Sequence, residues 1–329
     1  MTPMISVALC TYNGGRFVEE QLTSILDQTR RPDEIVVSDD GSVDNTVAVV
    51  RATLDRWMGE HPEAGVVSVV LADQPQRGVA GNFERALAAT TGSLIALSDQ
   101  DDVWPPDRLQ RLAGVFGRDD VLLVHTDARM VDSAGVPMGA GLLETLGITA
   151  NERRMIESGD AFDALMHRNL VTGATVMLRR ELFERAAPFP DDWLHDEWLA
   201  VVAAASGRLV LVPEQLVDYR QHATNQIGAR ALSLAGKVRR IQEPRTEKNN
   251  YLARRAANMV TRLTALGSQI PDSRLAAARG KLAHERFRAG LHRRRMLRIV
   301  PVLAHAVRRD YARFGRGGAD IVRDLIQPA

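Results

Sequence analysis

The sequence predicts an α/β fold in which a mainly parallel sheet is flanked by helices and is followed by a C-terminal helical region. Three observations support this prediction. Strand-like and helix-like segments alternate through the first 100 residues, polar turns follow the strands, and no strand pattern remains after about residue 226. Such alternation is typical of parallel strands joined by crossover helices on both faces of a sheet. We therefore expect one domain in residues 1–225 and a basic helical region in residues 226–329.

Short apolar runs and amphipathic segments define the elements of the first hundred residues. Strands are predicted from ISVALC at 5–10, EIVVS at 34–38, VVSVVLA at 66–72 and LIALS at 94–98, and EIVVS and LIALS are expected to be buried. Helices are predicted at 16–28, from Thr46 onward with Asp44 or Asn45 as its N-cap, and in GNFERALAATTG.

The later elements are less regular. Strands are predicted at 121–132, at 170–180 and at 208–222, where Pro213 should interrupt the last one. Helices are predicted in ELFERAA and from Trp193 to Ala205. Beyond the sheet, helical patterns occur near 229–242, 246–266, 272–289 and 292–314.

Composition limits the class of protein. The 329 residues are 45% hydrophobic and 25% charged, as in an ordinary globular protein. The single cysteine, Cys10, allows no internal disulfide and favours a reducing, cytoplasmic location, where we expect a buried and inert thiol. We expect no signal peptide, and no apolar run reaches the roughly 20 residues of a membrane span.

The charge is distributed unevenly along the chain. Residues 281–329 contain 12 Lys and Arg against 4 Asp and Glu, whereas the whole chain has a net charge of only +1. Arginines alternate with apolar residues over 286–316, which predicts either a basic amphipathic helix on an anionic membrane surface or a packed helical subdomain that could form a homo-oligomer interface. We do not expect nucleic-acid binding, because aromatic residues for base stacking are sparse there.

Three carboxylates, Asp99, Asp101 and Asp102, follow the strand LIALS. Like charges this close are unfavourable unless a cation or a polar partner compensates them. Mg²⁺ and Mn²⁺ prefer such oxygen ligands and leave coordination positions for phosphate oxygens. The cluster therefore predicts a divalent-metal site that holds a diphosphate, with an exposed acidic turn as the alternative.

Further polar turns follow the other strands. TYNGG at 11–15 fits a ligand-binding loop or a plain Asn-Gly turn, and Asp39 with Asp40 fits a base or ribose contact or a capped helix start. Gly78 and Asn82 open a helix where a phosphate or a sugar could approach the backbone, the alternative being a tight connection. The first turn lacks both the G-x-G-x-x-G and the P-loop patterns.

Two later segments carry candidate catalytic groups. In WLHDEWLA, Asp196 could be a general base in a partly apolar pocket, or it could complement the dipole of a helix start. In DYRQHATNQIG, His222 could coordinate a metal or contact a diphosphate, although a lone histidine is more often structural.

The ordered set of motifs resembles a known family. The segments are TYNGGRFVEEQLTSILDQT, EIVVSDDGSVDNT, SDQDDVWPPDRL, HDEWLA and YRQHATNQIG. Their order and spacing over residues 4–228 resemble the inverting glycosyltransferases of family 2, whose GT-A fold is a Rossmann-like mixed sheet. SDQDDVW, HDEW and YRQH look most like the rhamnosyltransferase branch, which builds cell-surface polysaccharides.

The resemblance implies a role for each matching residue. Thr11, Tyr12, Asn13, Asp39 and Asp40 would hold the nucleotide. Asp99 and Asp101 would bind the ribose and a divalent metal, and His222 would complete that metal or diphosphate site. Asp196 would be the catalytic base, with Glu197 as the alternative base. The residues placed on the acceptor side are Trp104, Gly173, His195 and Glu197; the family usually has Glu-Asp where this chain has His195-Asp196.

The implied reaction is a sugar transfer with inversion. Mg²⁺ or Mn²⁺ would neutralise the leaving diphosphate of a dTDP- or UDP-sugar, and Asp196 would deprotonate a hydroxyl of a glycan or a lipid-linked acceptor. Two alternatives stay open. A sugar nucleotidyltransferase would need a glycine-rich loop and a lysine after the first strand, which this chain lacks. A non-catalytic binding protein could have kept the fold.

Overall fold

The structure, a computed structural model, describes residues 3–72, 75–222 and 244–328 and divides into two units. The first unit contains the described residues up to Arg153, then Val171–Ala203 and the chain from Gly207 to His222. The second contains Arg154–Leu170, Ala204–Ser206 and the described residues from 244 onward. The predicted boundary at 225 and the predicted helix at 229–242 lie outside the described residues.

The first unit is built on a mixed sheet that has eight strands in the described residues. In chain order they are β1 (Ile5–Thr11), β2 (Glu34–Asp39), β3 (Val67–Leu71), β4 (Leu94–Ser98), β5 (Val121–Val131), β6 (Pro137–Gly141), β7 (Met177–Arg179) and β8 (Arg208–Arg220). The spatial order is β3-β2-β1-β4-β7-β5-β6, and β8 pairs with β5.

The strand directions place several carboxyl ends at one edge of the sheet. Strands β3, β2, β1 and β4 are parallel, β7 is antiparallel to both β4 and β5, and β8 is parallel to β5. The carboxyl ends of β1, β2, β4 and β8 therefore lie at the same edge, where open α/β sheets bind their ligands. The predicted mainly parallel α/β fold is confirmed.

Helices of the first unit cover this sheet. They are α1 (Val18–Leu26), α2 (Thr46–Glu60), α3 (Gly78–Ala89), α4 (Arg108–Val115) and α5 (Leu142–Thr145), and later α8 (Arg180–Ala186) and α9 (His195–Ser206). Between α5 and α8 in the chain, α6 (Ala150–Ser158) and α7 (Ala161–Leu165) belong mainly to the second unit. Strands β1, β2 and β4 are buried along their whole lengths, which explains their near-continuous apolar sequences. On α1, Leu22 and Ile25 recur at helical spacing and are fully buried in the same core.

Two predictions for the later strands were wrong in detail. The strand predicted at 170–180 is shortened to Met177–Arg179, because Thr175 Oγ1 donates to Thr172 O at 2.8 Å and a 3₁₀ turn forms at Gly173–Thr175. Strand β8 continues through Pro213. The pairing shifts register there, from Thr126 opposite Val212 to Asp127 opposite Gln215, so no ladder bond is required of the proline.

The second unit is helical. Its later helices are α10 (Arg245–Ala265), α11 (Asp272–Ala289), α12 (Ile299–Val307), α13 (Asp310–Phe314) and α14 (Gly318–Ile326). The single helix predicted at 292–314 is divided into a 3₁₀ turn, α12 and α13. Arg309 has a left-handed φ of 65° between the last two, which no continuous α-helix allows.

Part of the arginine-rich sequence is buried inside this unit. Arg288 Nε donates to Asp324 Oδ2 at 2.8 Å, and Tyr311 Oη donates to the same oxygen at 2.9 Å. Arg298 is fully buried and donates to the carbonyl of Gln327 at 2.8 Å. These arginines therefore hold the unit together, and removing one partner of a buried ion pair such as Arg288–Asp324 typically costs about 3–5 kcal/mol.

None of the helices in the described residues combines the length and the apolar character needed to cross a lipid bilayer.

Candidate active site

The turn after β4 places Asp99 and Asp101 at the ligand-binding edge of the sheet. Asp99 is half-buried. Burial and then the negative charges of Asp101 and Asp196 raise the pKa of Asp99 to about 7. The negative charges of Asp101 and Asp196 thus disfavour the ionised form of Asp99, and a bound cation would relieve this repulsion.

His222, two residues beyond β8, reaches the same turn. Its Nε2 lies 2.7 Å from Asp101 Oδ2, and its ring stacks on Phe17 with centroids 4.7 Å apart. In this arrangement the imidazole orients the Asp101 carboxylate, and the second oxygen of Asp101 does not take part in this contact.

Arg220 holds the turn that contains Asp101 and Asp102 in place. It is buried, and its Nε donates to Asp101 O at 2.8 Å while its backbone N donates to Asp102 Oδ1 at 3.0 Å. Its guanidinium also donates to Glu20 Oε2 at 2.6 Å and lies over the Phe17 ring. One side chain therefore joins α1, the end of β8 and the turn of residues 99–102, which we call the acidic turn.

Asp102 faces inward. It is fully buried, its Oδ2 has no hydrogen-bond partner among the described residues, and burial together with the charges of Asp101 and Asp99 raises its pKa well above the usual range. The third carboxylate of the cluster is therefore structural, whereas Asp99 and Asp101 are only half-buried.

The turn after β1 adopts a specific backbone. Asn13 has a φ of 49°, a conformation that Asn tolerates better than most residues, and its Oδ1 accepts from Val43 N at 2.9 Å. Tyr12 N donates to Gln100 Oε1 at 2.8 Å, so the turn is attached to the acidic turn. A Cβ on Gly14 would overlap the Gln100 side chain, so Gly14 is needed for this close approach.

Asp39 and Asp40 mainly organise the loops around them. Asp39 accepts from Thr11 Oγ1 at 2.7 Å and from Gly41 N and Ser42 N at 3.1 and 2.7 Å. The hydroxyl of Ser42 donates to it as well, which uses all of the roughly four acceptor sites of a carboxylate. Asp40 accepts from two backbone N–H groups at the start of α3, so it retains acceptor capacity that Asp39 does not.

Gly78 and Asn82 belong to that helix start. Gly78 has a φ of 71° and donates its N–H to Asp40 Oδ2 at 2.9 Å. Asn82 is buried; it donates to Ser38 O and accepts from both Ser38 Oγ and Arg85. The structure thus places Asn82 as a structural bridge at the end of β2, and its predicted contact with a donor stays a prediction.

Asp196 lies in the first turn of α9. Its Oδ2 accepts from Gly173 N at 3.1 Å, and its charge contributes to the raised pKa of Asp99. The preceding His195 is buried and stacks on Phe83 with centroids 3.8 Å apart. Burial lowers the pKa of His195 to about 3, so this imidazole is neutral near pH 7.

The other residues predicted for the acceptor side occupy different environments. Glu197 is half-buried beside Asp196. Gly173 faces His195, and a Cβ at this glycine would overlap the His195 ring. Trp104 is buried in the core beneath the guanidinium of Arg108, and its Nε1 has no hydrogen-bond partner among the described residues.

The carboxylates at this site suit a cation that is bound partly by the protein and partly by the substrate. Within the described part of the chain, no three His, Cys, Asp or Glu side chains form a complete metal-ligand group. Magnesium-type sites commonly use only one or two carboxylates and take their remaining ligands from substrate phosphates and water. Asp99 and Asp101 fit that pattern. A bound cation would offset the burial and the neighbouring negative charges that raise the pKa of Asp99.

Sequence reasoning missed Gln100, Arg220 and Phe17. Gln100 lies between the two aspartates of the D-x-D pair, and alternation along an extended chain turns its side chain to the opposite side. Arg220 precedes His222 by two positions, so an extended chain would place both side chains on the same face. These two spacings are the indications that the sequence contains. The hydrogen-bond partner of Gln100 is Tyr12 and that of Arg220 is Glu20, and both partners are far away in sequence.

Comparisons with known proteins identify the family and the fold of this chain. The family model described as Glycosyl transferase family 2 matches residues 6–186. An uncharacterized glycosyltransferase of Nostoc sp. is 30% identical over 258 residues, which cover 75% of this chain and 74% of the relative. A second uncharacterized glycosyltransferase, from Haemophilus influenzae, is 24% identical over 67% of this chain and 66% of its own length.

Solved structures share the fold at lower identity. TarS of S. aureus in complex with UDP-GlcNAc has a TM-score of 0.55 at 16% identity, covering 86% of this chain and 72% of that one. The mannosyltransferase PcManGT of Pyrobaculum calidifontis, in complex with GDP-Man and Mn²⁺, has a TM-score of 0.53 at 22% identity, covering 93% and 76%. This chain, with its GT-A fold, belongs to glycosyl transferase family 2.

Proposed function

We propose that this glycosyltransferase is metal-dependent and inverting, and that it transfers a sugar from a nucleotide-sugar donor to an acceptor hydroxyl. One observation carries the proposal. Asp99, Asp101 and His222 lie at one edge of the sheet, and Asp196 is close enough to raise the pKa of Asp99. A cation-binding pair beside a carboxylate at a helix start is the minimum that such a reaction requires.

The donor would bind across the turns that follow β1 and β4. Asp99 and Asp101 would hold Mg²⁺ or Mn²⁺, which would supply neutralisation of the charge that develops on the leaving diphosphate. Tyr12 and Asn13 would face the nucleotide, because Gln100 fixes the backbone of Tyr12 against the acidic turn. Asp40, with its remaining acceptor capacity, suits a base or ribose contact better than Asp39.

Asp196 would act as the general base. Gly173 N donates to its Oδ2, which orients the carboxylate. His195 is too deeply buried and too weakly basic to take the proton, since its pKa is lowered to about 3. A single base that activates one attacking hydroxyl gives one displacement and therefore inversion at the sugar carbon.

For the donor we propose dTDP-rhamnose, with UDP-sugars as the alternative, and for the acceptor a glycan or a lipid-linked sugar of a cell-surface polysaccharide. The branch-like motifs SDQDDVW, HDEW and YRQH support this choice. The two structural neighbours were solved with UDP-GlcNAc and with GDP-Man and Mn²⁺, which supports a nucleotide-sugar donor and a divalent metal in general. We place the reaction in the cytoplasm or at the cytoplasmic face of the membrane.

The test compares Asp196→Asn with Asp191→Asn, a matched control at an exposed aspartate of the preceding loop. Nucleoside diphosphate release is measured over a panel of nucleotide sugars with Mn²⁺, with Mg²⁺ and with a chelator. We expect Asp196→Asn to lose about 100-fold or more in turnover, as general-base variants typically do. Calorimetry should show that it still binds nucleoside diphosphate with metal.

Two alternatives are separated by the same measurements. A non-catalytic GT-A-fold binding protein would bind the donor but release no nucleoside diphosphate with any sugar. A sugar nucleotidyltransferase would consume a nucleoside triphosphate and release pyrophosphate. Near-normal turnover of Asp196→Asn would contradict the assignment of the base, and Glu197→Gln would then be the variant to measure.

A further inference from the structure

The second unit exposes a cluster of apolar side chains that its fold does not use. Six of the exposed large apolar residues in the described chain fall between positions 296 and 307. The five that define what we call the apolar face are Met296, Leu297, Val300, Leu303 and Val307, which are between 51% and 84% exposed. Clustered exposure of this kind is uncommon on a soluble protein surface and marks an interaction site.

Helical geometry gathers these residues on one side. Helix α12 spans Ile299–Val307, and Val300, Leu303 and Val307 recur at intervals of three and four residues. Val302 points the other way, is fully buried and belongs to a core with Tyr311. The helix is therefore anchored by one apolar side while the other faces outward.

Cationic residues flank the apolar face at both ends. Arg293, Arg294 and Arg295 are exposed immediately before it, and Arg308 and Arg309 are exposed immediately after it. The sequence contains no Asp or Glu between positions 286 and 309. Apolar side chains bordered by arginines without acidic residues match the chemistry of an anionic lipid surface.

We propose that residues 293–309 dock the protein on the surface of an anionic phospholipid bilayer. Helix α12, at nine residues, is too short to span a bilayer and would lie in the plane of the interface. The apolar face would enter the boundary between headgroups and acyl chains. The flanking arginines would add electrostatic attraction to anionic headgroups.

The charge pattern disfavours other occupants. If two copies of this chain paired through the apolar face, either parallel or antiparallel alignment would bring arginines against arginines, because both ends are cationic. A nucleic acid would contact the arginines but would leave Val300 and Leu303 in water. A lipid surface can contact both the apolar face and the flanking arginines. Docking on it does not depend on the proposed sugar transfer.

The test uses the full chain and vesicle flotation. Vesicles of phosphatidylcholine alone are compared with vesicles that also contain phosphatidylglycerol. We expect at least about tenfold tighter binding to the anionic vesicles, and a loss of that difference as salt is raised. Equal binding to both kinds of vesicle, or binding to neither, would overturn the proposal.

A pair of matched variants tests the apolar face itself. Val300→Asp with Leu303→Asp is compared with Val136→Asp with Met138→Asp, which places the same two charges on exposed apolar positions of the hairpin formed by β5 and β6. All four positions are exposed, so both proteins should keep the circular dichroism spectrum of the parent. Only the α12 variant should lose about tenfold or more in binding to anionic vesicles. Equal losses in the two variants would contradict docking through the apolar face.

The arginines and the second-copy alternative are tested separately. Replacing Arg293, Arg294 and Arg295 with Gln should weaken binding more than the same change at three exposed arginines of the first unit, Arg51, Arg56 and Arg118. Light scattering gives the oligomeric state without lipid. A dimer that Val300→Asp with Leu303→Asp converts to a monomer would assign the apolar face to a second copy and would overturn the lipid proposal.

Discussion

Gln100 and Tyr12 exchange two hydrogen bonds across 88 residues of sequence. Tyr12 N donates to Gln100 Oε1 at 2.8 Å, and Gln100 Nε2 donates to Tyr12 O at 3.0 Å. Because Gln100 lies between Asp99 and Asp101, this pair sets the position of the predicted nucleotide turn relative to the predicted metal-binding turn. In the proposed function, the two turns would therefore form one preorganised surface for the donor.

Replacing Gln100 with Ala should weaken donor binding. The two lost hydrogen bonds are worth about 1–3 kcal/mol together, and two buried or half-buried backbone groups would lose their partners. We expect the dissociation constant for nucleoside diphosphate with Mn²⁺ to rise about tenfold, measured by calorimetry. Gln110→Ala, at an exposed position on α4, is the control. Unchanged affinity in Gln100→Ala would mean that the turn after β1 does not hold the nucleotide.

Arg220 is expected to contribute more to the stability of the fold than Glu20, its exposed ion-pair partner. Arg220→Met removes a buried guanidinium that donates to Asp101 O and Glu20, so the half-buried carbonyl of Asp101 loses its partner and the unfolding free energy should fall by about 1–3 kcal/mol. Glu20→Gln keeps an oxygen within reach, and Glu20 is itself 60% exposed, so its effect should stay below about 1 kcal/mol. Urea unfolding measures both. Similar losses in the two variants would show that the ion pair, and not the buried network, supports the acidic turn.

Buried His284 should make the second unit sensitive to acid. Burial lowers its pKa to about 4, and the positive charges of Arg288 and Lys281 add to that effect. The negative charges of Asp310 and Asp324 act in the opposite direction without outweighing it. Because an unfolded histidine has a pKa of about 6.5, the unfolded chain binds more protons below that pH and stability falls as the pH is lowered.

The expected loss from His284 is about 2 kcal/mol between pH 8 and pH 5. His284→Asn cannot take up the proton, so its unfolding free energy should decline less steeply than that of the parent over the same interval. Urea unfolding of both proteins at several pH values gives the two slopes, and the comparison cancels the contribution of every other titrating group. Parallel slopes would show that His284 is not the acid-sensitive group.

The parts of the fold that local patterns control were predictable. Continuous apolar runs gave β1, β2 and β4 to within a residue or two, and parallel topology then required the residues after them to meet at one edge. The strand predicted at 170–180 failed because Thr172 and Thr175 form a local hydrogen bond that ends the extended conformation early. Propensity favours β-branched residues in strands but does not detect such competition.

The parts that depend on distant partners were not predictable. The partners of Gln100 and Arg220 lie 88 and 200 residues away, and no spacing rule connects them. Arg288 and Arg298 looked like members of a surface cationic stripe, yet both are buried. Composition could not distinguish them from exposed Arg293 and its neighbours, because burial of an arginine depends on which carboxylates and carbonyls the fold brings to it.

Gly173 tests whether the orientation of Asp196 matters for the reaction. A methyl group at this position would overlap the ring of His195, and the stacking of Phe83 on that ring restricts its movement. Gly173→Ala should therefore displace His195 and disturb the hydrogen bond from Gly173 N to Asp196 Oδ2. Since misplacement of a reacting group by about 1 Å can lower a rate 100-fold, we expect turnover to fall by that order.

Donor binding should separate this effect from unfolding. Asp99, Asp101 and Tyr12 belong to other loops, so Gly173→Ala should bind nucleoside diphosphate with metal within about threefold of the parent if the loss arises only at the base. Gly114→Ala is the control, because a Cβ there meets nothing within 4 Å and alanine is well tolerated in a helix. Turnover of Gly173→Ala equal to that of Gly114→Ala would show that the contact between Gly173 and Asp196 does not position the base. A proportional loss of turnover and donor affinity would instead indicate that α9 supports the donor site as a whole.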